Sequence, residues 1–129
     1  MKRNTPPTIL LVEDDEEVRE SLPGLLERRG FRVLIANGEQ DASKLFDDPK
    51  IAVDLILVNQ KVASDEALAA GRRLRQHGKL DSAVPVVVLP DEFSRDNEGQ
   101  DQSVGGNDYK SYINDEEQLD ALLDRLLPR

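Results

Sequence analysis

Short, strongly apolar runs alternate with longer amphipathic stretches along this chain. The apolar runs fall at Ile9–Val12, Arg32–Ile35, Leu55–Val58, Val86–Leu89 and Tyr109–Tyr112. Runs this short and this rich in Val, Ile and Leu suit strands buried on both faces. The stretches between them suit crossover helices, so the pattern predicts one α/β unit with a parallel sheet.

The first helix should begin after Asp15, where acidic residues meet the positive end of the helix dipole, and present Val18, Leu22, Leu25 and Leu26 before Gly30 stops it. Pro23 lies inside it and removes a backbone donor, which predicts a kink or break. A short second helix is predicted over Gln40–Phe46 and a third over Asp65–Gln76, with Gly78 beyond its end. The last helix, Glu116–Leu127, spaces Leu119, Leu122, Leu123 and Leu126 on one face, with Asp115 as its cap. Between Asp91 and Ser103 the only apolar side chain is Phe93, so a helix there could not bury a full face and should be short, frayed or mobile.

A chain of 129 residues holds one core of useful size. Its 26 acidic and 17 basic residues give a formal charge of −9, which opposes nucleic acid and anionic membrane and favours a protein partner with a basic face. With no cysteine, disulfides and thiol chemistry are excluded. No apolar h-region follows the basic N-terminus and no run approaches a membrane span, so the expectation is a soluble cytoplasmic protein.

The run Ile9-Leu10-Leu11-Val12-Glu13-Asp14-Asp15 places acids at the carboxyl end of the first strand, where open α/β sheets build ligand sites. Here the chain resembles the CheY-like receiver domain of bacterial response regulators. The resemblance continues in order through Asp54 to Asn59, Arg72 to Arg75, Val84 to Leu89 and Gly105 to Tyr109. It implies a doubly wound, flavodoxin-like (βα)5 fold over residues 8–129, with a five-stranded parallel sheet flanked by helices. Residues 1–7 would be a flexible extension, and the fourth helix short or disordered.

In that family two acids ending the first strand and an aspartate ending the third hold Mg²⁺, and the aspartate takes a phosphoryl group from a phosphohistidine. The matching positions here are Glu13, Asp14 and Asn59. An amide cannot replace the anionic oxygen that attacks phosphorus, so the resemblance implies a degenerate receiver without its phosphoacceptor. Pro90 stands where the family has a Thr or Ser that bonds the phosphoryl group, and Asp91 where the next residue is small. Tyr112-Ile113 stands where the family has Lys-Pro. That family bond is typically cis, whereas a cis bond before a non-proline residue costs about 2.5–4 kcal/mol, so trans is predicted at Tyr112–Ile113.

The substitutions also balance. Three carboxylates and a lysine carry −2, and so do Glu13 and Asp14 beside neutral Asn59 and Tyr112. Two carboxylates and an amide oxygen can still hold Mg²⁺ weakly through water, as a vestigial site, but no cofactor is required. Lys61 and Glu92 each lie two residues beyond an altered position and should project at the mouth of the site, where Lys61 can pair with Glu92, Asp91 or Asp14. An exposed, solvated lysine is as good a reading, since surface pairs contribute only about 0–1 kcal/mol.

His77 before Gly78 reads as a solvated helix end rather than a phosphorelay donor. Tyr109 matches the family's switch aromatic and equally suits an ordinary strand aromatic. Gly105-Gly106 precedes a strand rather than a helix and so is no phosphate cradle. The leading reading is a non-enzymatic pseudo-receiver in two-component signalling that docks a partner through the fourth segment, the last strand and the last helix. The alternatives are a working phosphoacceptor on Asp15 or Asp65 and a small nucleotide- or flavin-binding protein, which low aromatic content disfavours.

Overall fold

The computed structural model describes residues 6–90 and 96–127. Among them the chain forms β1 (Thr8–Glu13), α1 (Glu16–Arg28), β2 (Arg32–Ala36), α2 (Glu39–Leu45), β3 (Leu55–Asn59), α3 (Ser64–His77), β4 (Val86–Val88), β5 (Asp101–Ser103), β6 (Asp108–Ser111) and α4 (Glu116–Leu126). The sheet order is β2-β1-β3-β4-β6-β5. Pairings from β2 to β6 are parallel, as the alternating pattern predicts.

Period-two alternation divides the strand side chains between two helical layers. Leu10, Val12, Ile56, Val58, Val86 and Val88 pack with Ala42 of α2 and Ala67, Leu68 and Leu74 of α3. Ile9, Leu11, Leu55, Leu57 and Val87 pack with Leu26 of α1 and Leu119, Leu122 and Leu123 of α4. This two-sided burial is why β1 and β3 read as continuous apolar runs.

α1 continues through Pro23 without interruption, so the predicted break does not occur. Leu22, Leu25 and Leu26, around and after the proline, hold that half of the helix against the sheet. Asp115 caps α4 as expected: its Oδ1 accepts the Gln118 N–H at 2.8 Å, and Gln118 Oε1 accepts the Asn114 N–H at 2.8 Å. Pro7 is buried and its carbonyl accepts the Arg32 N–H at 2.9 Å, so the β1–β2 pairing already includes a residue assigned above to the extension. Residues 1–5 of that extension lie outside the described residues.

The five-stranded parallel sheet needs correction. The sheet has six strands and is mixed, because β5 pairs antiparallel with β6. Among the described residues no helix lies between β4 and β6, and residues 91–95, with Phe93, lie outside them. A polar segment with no apolar face to bury satisfies its backbone on the edge of β6 instead. The Gly99 N–H donates to Tyr112 O at 2.9 Å, the Tyr112 N–H to Gln100 O at 2.8 Å and the Val104 N–H to Asp108 O at 2.9 Å. Gly105 and Gly106 turn the hairpin with φ of 114° and 57°, where a side chain would be strained. No described peptide bond is cis, so Tyr112–Ile113 is trans as predicted.

Candidate functional site

Parallel register brings the ends of β1 and β3 together: Glu13 pairs with Asn59 and Val12 with Val58. Glu13 is only 1% exposed. Its Oε1 accepts the Asp15 N–H at 2.9 Å, while Oε2 makes no hydrogen bond of ordinary geometry. Burial pushes the Glu13 carboxyl above its usual range. The Asp15 N–H and the nearby Asn59 amide offset part of that rise, and the charges of Asp14 and Asp15 add to it.

The loops after β1 and β3 meet through Lys61. Its backbone N–H donates to both carboxylate oxygens of Asp14, at 3.0 and 3.3 Å. Its ammonium lies 3.2 Å from Asp15 Oδ2. The Lys61 ammonium therefore lies against the loop that follows β1. Of the partners foreseen for it, Asp14 is met by the backbone of Lys61, and the ammonium also pairs with Asp15, one residue further along the same loop. Asp91 and Glu92 lie outside the described residues.

Pro90 follows β4, whose neighbour Leu89 donates its N–H to Val58 O at 2.9 Å, so the proline stands beside the end of β3 and offers no donor. Tyr112 is buried and its backbone is committed to the hairpin through Gln100 and Gly99. Among the described residues no hydrogen bond joins its hydroxyl to Glu13, Asp14 or Asn59. Tyr109 and Ile113 pack beside Leu89 on the α1 and α4 side of the sheet. His77 is exposed at the end of α3, its ring edge-on to Phe46 at 6.4 Å. Asp65 is paired with Lys110 at 2.6 Å, which lowers its carboxyl below the usual range.

A buried carboxylate oxygen with no hydrogen bond of ordinary geometry is a group that a cation would satisfy. Glu13, Asp14 and the Asn59 amide oxygen are the residues that would hold one. That donor set is weak: among the described residues no group of three His, Cys, Asp or Glu is arranged to hold a metal.

Sequence reasoning missed the most buried ionic cluster among the described residues, between α3 and β6. Asp108 accepts from Arg75 Nη1 at 2.6 Å, Arg75 Nη2 at 3.1 Å and Arg72 Nε at 2.8 Å. Arg75 also reaches Val84 O at 3.0 Å, and Arg72 reaches Val104 O at 3.1 Å. Two arginines three residues apart on a predicted helix were the available signal.

No protein-family model matches the chain. It is 32% identical to the phosphate regulon transcriptional regulatory protein PhoB of Pseudomonas aeruginosa over 79% of its own length and 43% of that protein. It is 30% identical to the transcriptional regulatory protein CpxR of Escherichia coli over 94% of its length and 49% of that protein. The chain thus spans less than half of each of these relatives. The structure superposes on the chemotaxis protein CheY4 of Vibrio cholerae with a TM-score of 0.68 at 20% identity, covering 95% of this chain and 100% of that one. It also superposes on the receiver domain of the sensor histidine kinase PA1611 of Pseudomonas aeruginosa, solved with a magnesium ion in its active-site cleft. There the TM-score is 0.67 at 22% identity, covering 97% and 100% of the two chains. Among the described residues no helix is long and apolar enough to cross a membrane. The doubly wound sheet gives the chain the receiver fold, and the acids at the end of β1 together with its similarity to these relatives support a response-regulator receiver domain.

Proposed function

We propose that this receiver signals by protein contact and accepts no phosphoryl group. The observation that carries the reading is Asn59, an amide at the end of β3 in register with Glu13, where the family needs a carboxylate nucleophile. Two further features support it. Pro90 offers no hydroxyl or N–H to a phosphoryl oxygen, and Tyr112 supplies no ammonium. The residual acids bind Mg²⁺ weakly, and no chemistry follows from its binding.

In this reading the working surface is formed by β5, β6 and α4. The exposed Asp96, Glu98, Glu116 and Glu117 and the charge of −9 favour a partner with a basic face in the cytoplasm, and disfavour nucleic acid and membrane. Without a hydroxyl at Pro90 the surface is uncoupled from the old site, so it stays in one state or is set by the partner.

The test is incubation with acetyl phosphate and millimolar-range Mg²⁺, followed by intact mass. The expected result is an unmodified chain. A stable species heavier by one phosphoryl group, at any acid, would overturn the proposal. For the partner, capture from the source cell should weaken with ionic strength and with neutralisation of Asp96, Glu98 and Glu117.

A further inference from the structure

Three contacts tie the loops after β1 and β3 together, and a fourth lies within the first of them. Glu13 Oε1 takes the Asp15 N–H, both Asp14 oxygens take the Lys61 N–H, and Asp15 Oδ2 takes the Lys61 ammonium. Asp14 and Asp15 are thus bridged by a single residue from the neighbouring loop, and Asp15 in turn donates its N–H to buried Glu13. The buried oxygen Glu13 Oε2 makes no hydrogen bond of ordinary geometry, with the Asn59 amide the nearby polar group.

We propose that Lys61 is the resident counter-ion of the pocket, a tethered cation that a divalent ion must displace or tolerate before it can bind. The inference rests on the preceding reading of the site as one that recruits no metal for phosphoryl transfer. The physical reason is local concentration. A lysine anchored by its own backbone to Asp14 keeps its ammonium beside the carboxylates at a far higher effective concentration than free Mg²⁺ reaches. Mg²⁺ also sheds water reluctantly and needs a near-octahedral oxygen set, which two carboxylates and an amide supply poorly. The ammonium needs no such geometry.

Lys61 is 65% exposed, so its ion pair does little for folding, and its role has to be read from cation affinity rather than stability. Lys61→Gln deletes the ammonium and keeps the backbone N–H on Asp14. Lys61→Arg keeps the charge. Lys50→Gln makes the same change in net charge beside Thr8 and Asp54, at the other end of the strands. Mg²⁺ is titrated at fixed ionic strength into each protein and followed by amide chemical shifts at the ends of β1 and β3.

The expected result is that Lys61→Gln binds Mg²⁺ about tenfold more tightly than the unsubstituted protein, with Lys61→Arg and Lys50→Gln within about twofold of it. An affinity for Lys61→Gln within about twofold of the unsubstituted protein, or no binding by either, overturns the proposal. So does an equal gain in Lys50→Gln, which would show a general charge effect. Labelling by acetyl phosphate would sink the phosphorylation-independent reading instead, and the titration is measured independently of that result.

Discussion

Arg75 reaches from α3 to place Nη1 2.6 Å from Asp108 Oδ1 on β6, in the most completely buried ion pair among the described residues. Arg72 joins the same carboxylate but is 43% exposed, against 18% for Arg75. Removing one member of a buried pair strands the other, at about 3–5 kcal/mol. Asp108→Ala strands two guanidinium groups and should be the most destabilising change. Arg75→Ala should follow, and Arg72→Ala should cost about 1 kcal/mol or less. Urea unfolding of the three variants checks the order, and equal losses for Arg72 and Arg75 would contradict it.

The same cluster predicts a pH dependence. Burial alone would raise the Asp108 carboxyl, but the hydrogen bonds and charges of Arg75 and Arg72 outweigh it and hold the group below the usual range. A folded-state value below the unfolded one, about 3.9, contributes stability that is complete above that pH. It is lost as pH falls through the depressed folded value. Glu13, raised by burial, acts in the opposite sense, so the informative comparison is with Asp108→Asn rather than the absolute slope. Between about pH 5 and 2 the unfolding midpoint of the unsubstituted protein should fall more steeply than that of Asp108→Asn. Parallel curves would show that Asp108 carries no linkage.

Much of this molecule was legible in its sequence, for physical reasons that differ by element. Buried parallel strands need continuous apolar runs, so β1 and β3 announced themselves. Asp115 was recognisable as a cap because its role depends on residues within one turn. β5 was not, since Asp101, Gln102 and Ser103 offer no apolar alternation, and only Gly105-Gly106 marked a hairpin turn. At the site, the acids, Asn59 and Pro90 were legible by position along the chain. The ion pair of Lys61 with Asp15 was not, because it depends on how the loops after β1 and β3 face each other. The Arg72, Arg75 and Asp108 cluster was hidden for the same reason.

Two glycines in helices should respond oppositely to alanine. In α3, a Cβ at Gly71 would overlap Val86 Cγ1 and press on Val58 Cγ2 at 3.3 Å, both fixed in the sheet. Overpacking of about 1–3 kcal/mol exceeds the roughly 1 kcal/mol of helix propensity that alanine restores, so Gly71→Ala should destabilise. In α1, a Cβ at Gly24 would meet only the flexible end of Arg28 at 3.5 Å, so Gly24→Ala should stabilise by about 0.5–1 kcal/mol. Thermal or urea melts decide it, and a stable Gly71→Ala protein would mean that α3 can lift from β4 at little cost.

The remaining prediction concerns Asn59→Asp, which restores the family's carboxylate without restoring the rest of its site. The new charge would lie in register with buried Glu13 and beside Asp14, with the Lys61 ammonium as the nearby cation. Like charges crowded where water is scarce are costly, so in chelator the variant should melt below the unsubstituted protein. Three carboxylates hold Mg²⁺ better than two and an amide, so adding Mg²⁺ should recover much of that loss by mass action. The unsubstituted protein should respond little. Labelling by acetyl phosphate should stay weak even in the variant, because Pro90 gives the phosphoryl group no donor and Tyr112 gives it no cation. Thermal melts with and without Mg²⁺, with intact mass after acetyl phosphate, measure both parts. A Mg²⁺ shift of equal size in the two proteins would remove Asn59 from the cation site. Efficient labelling of the single variant would show that only the nucleophile had been missing.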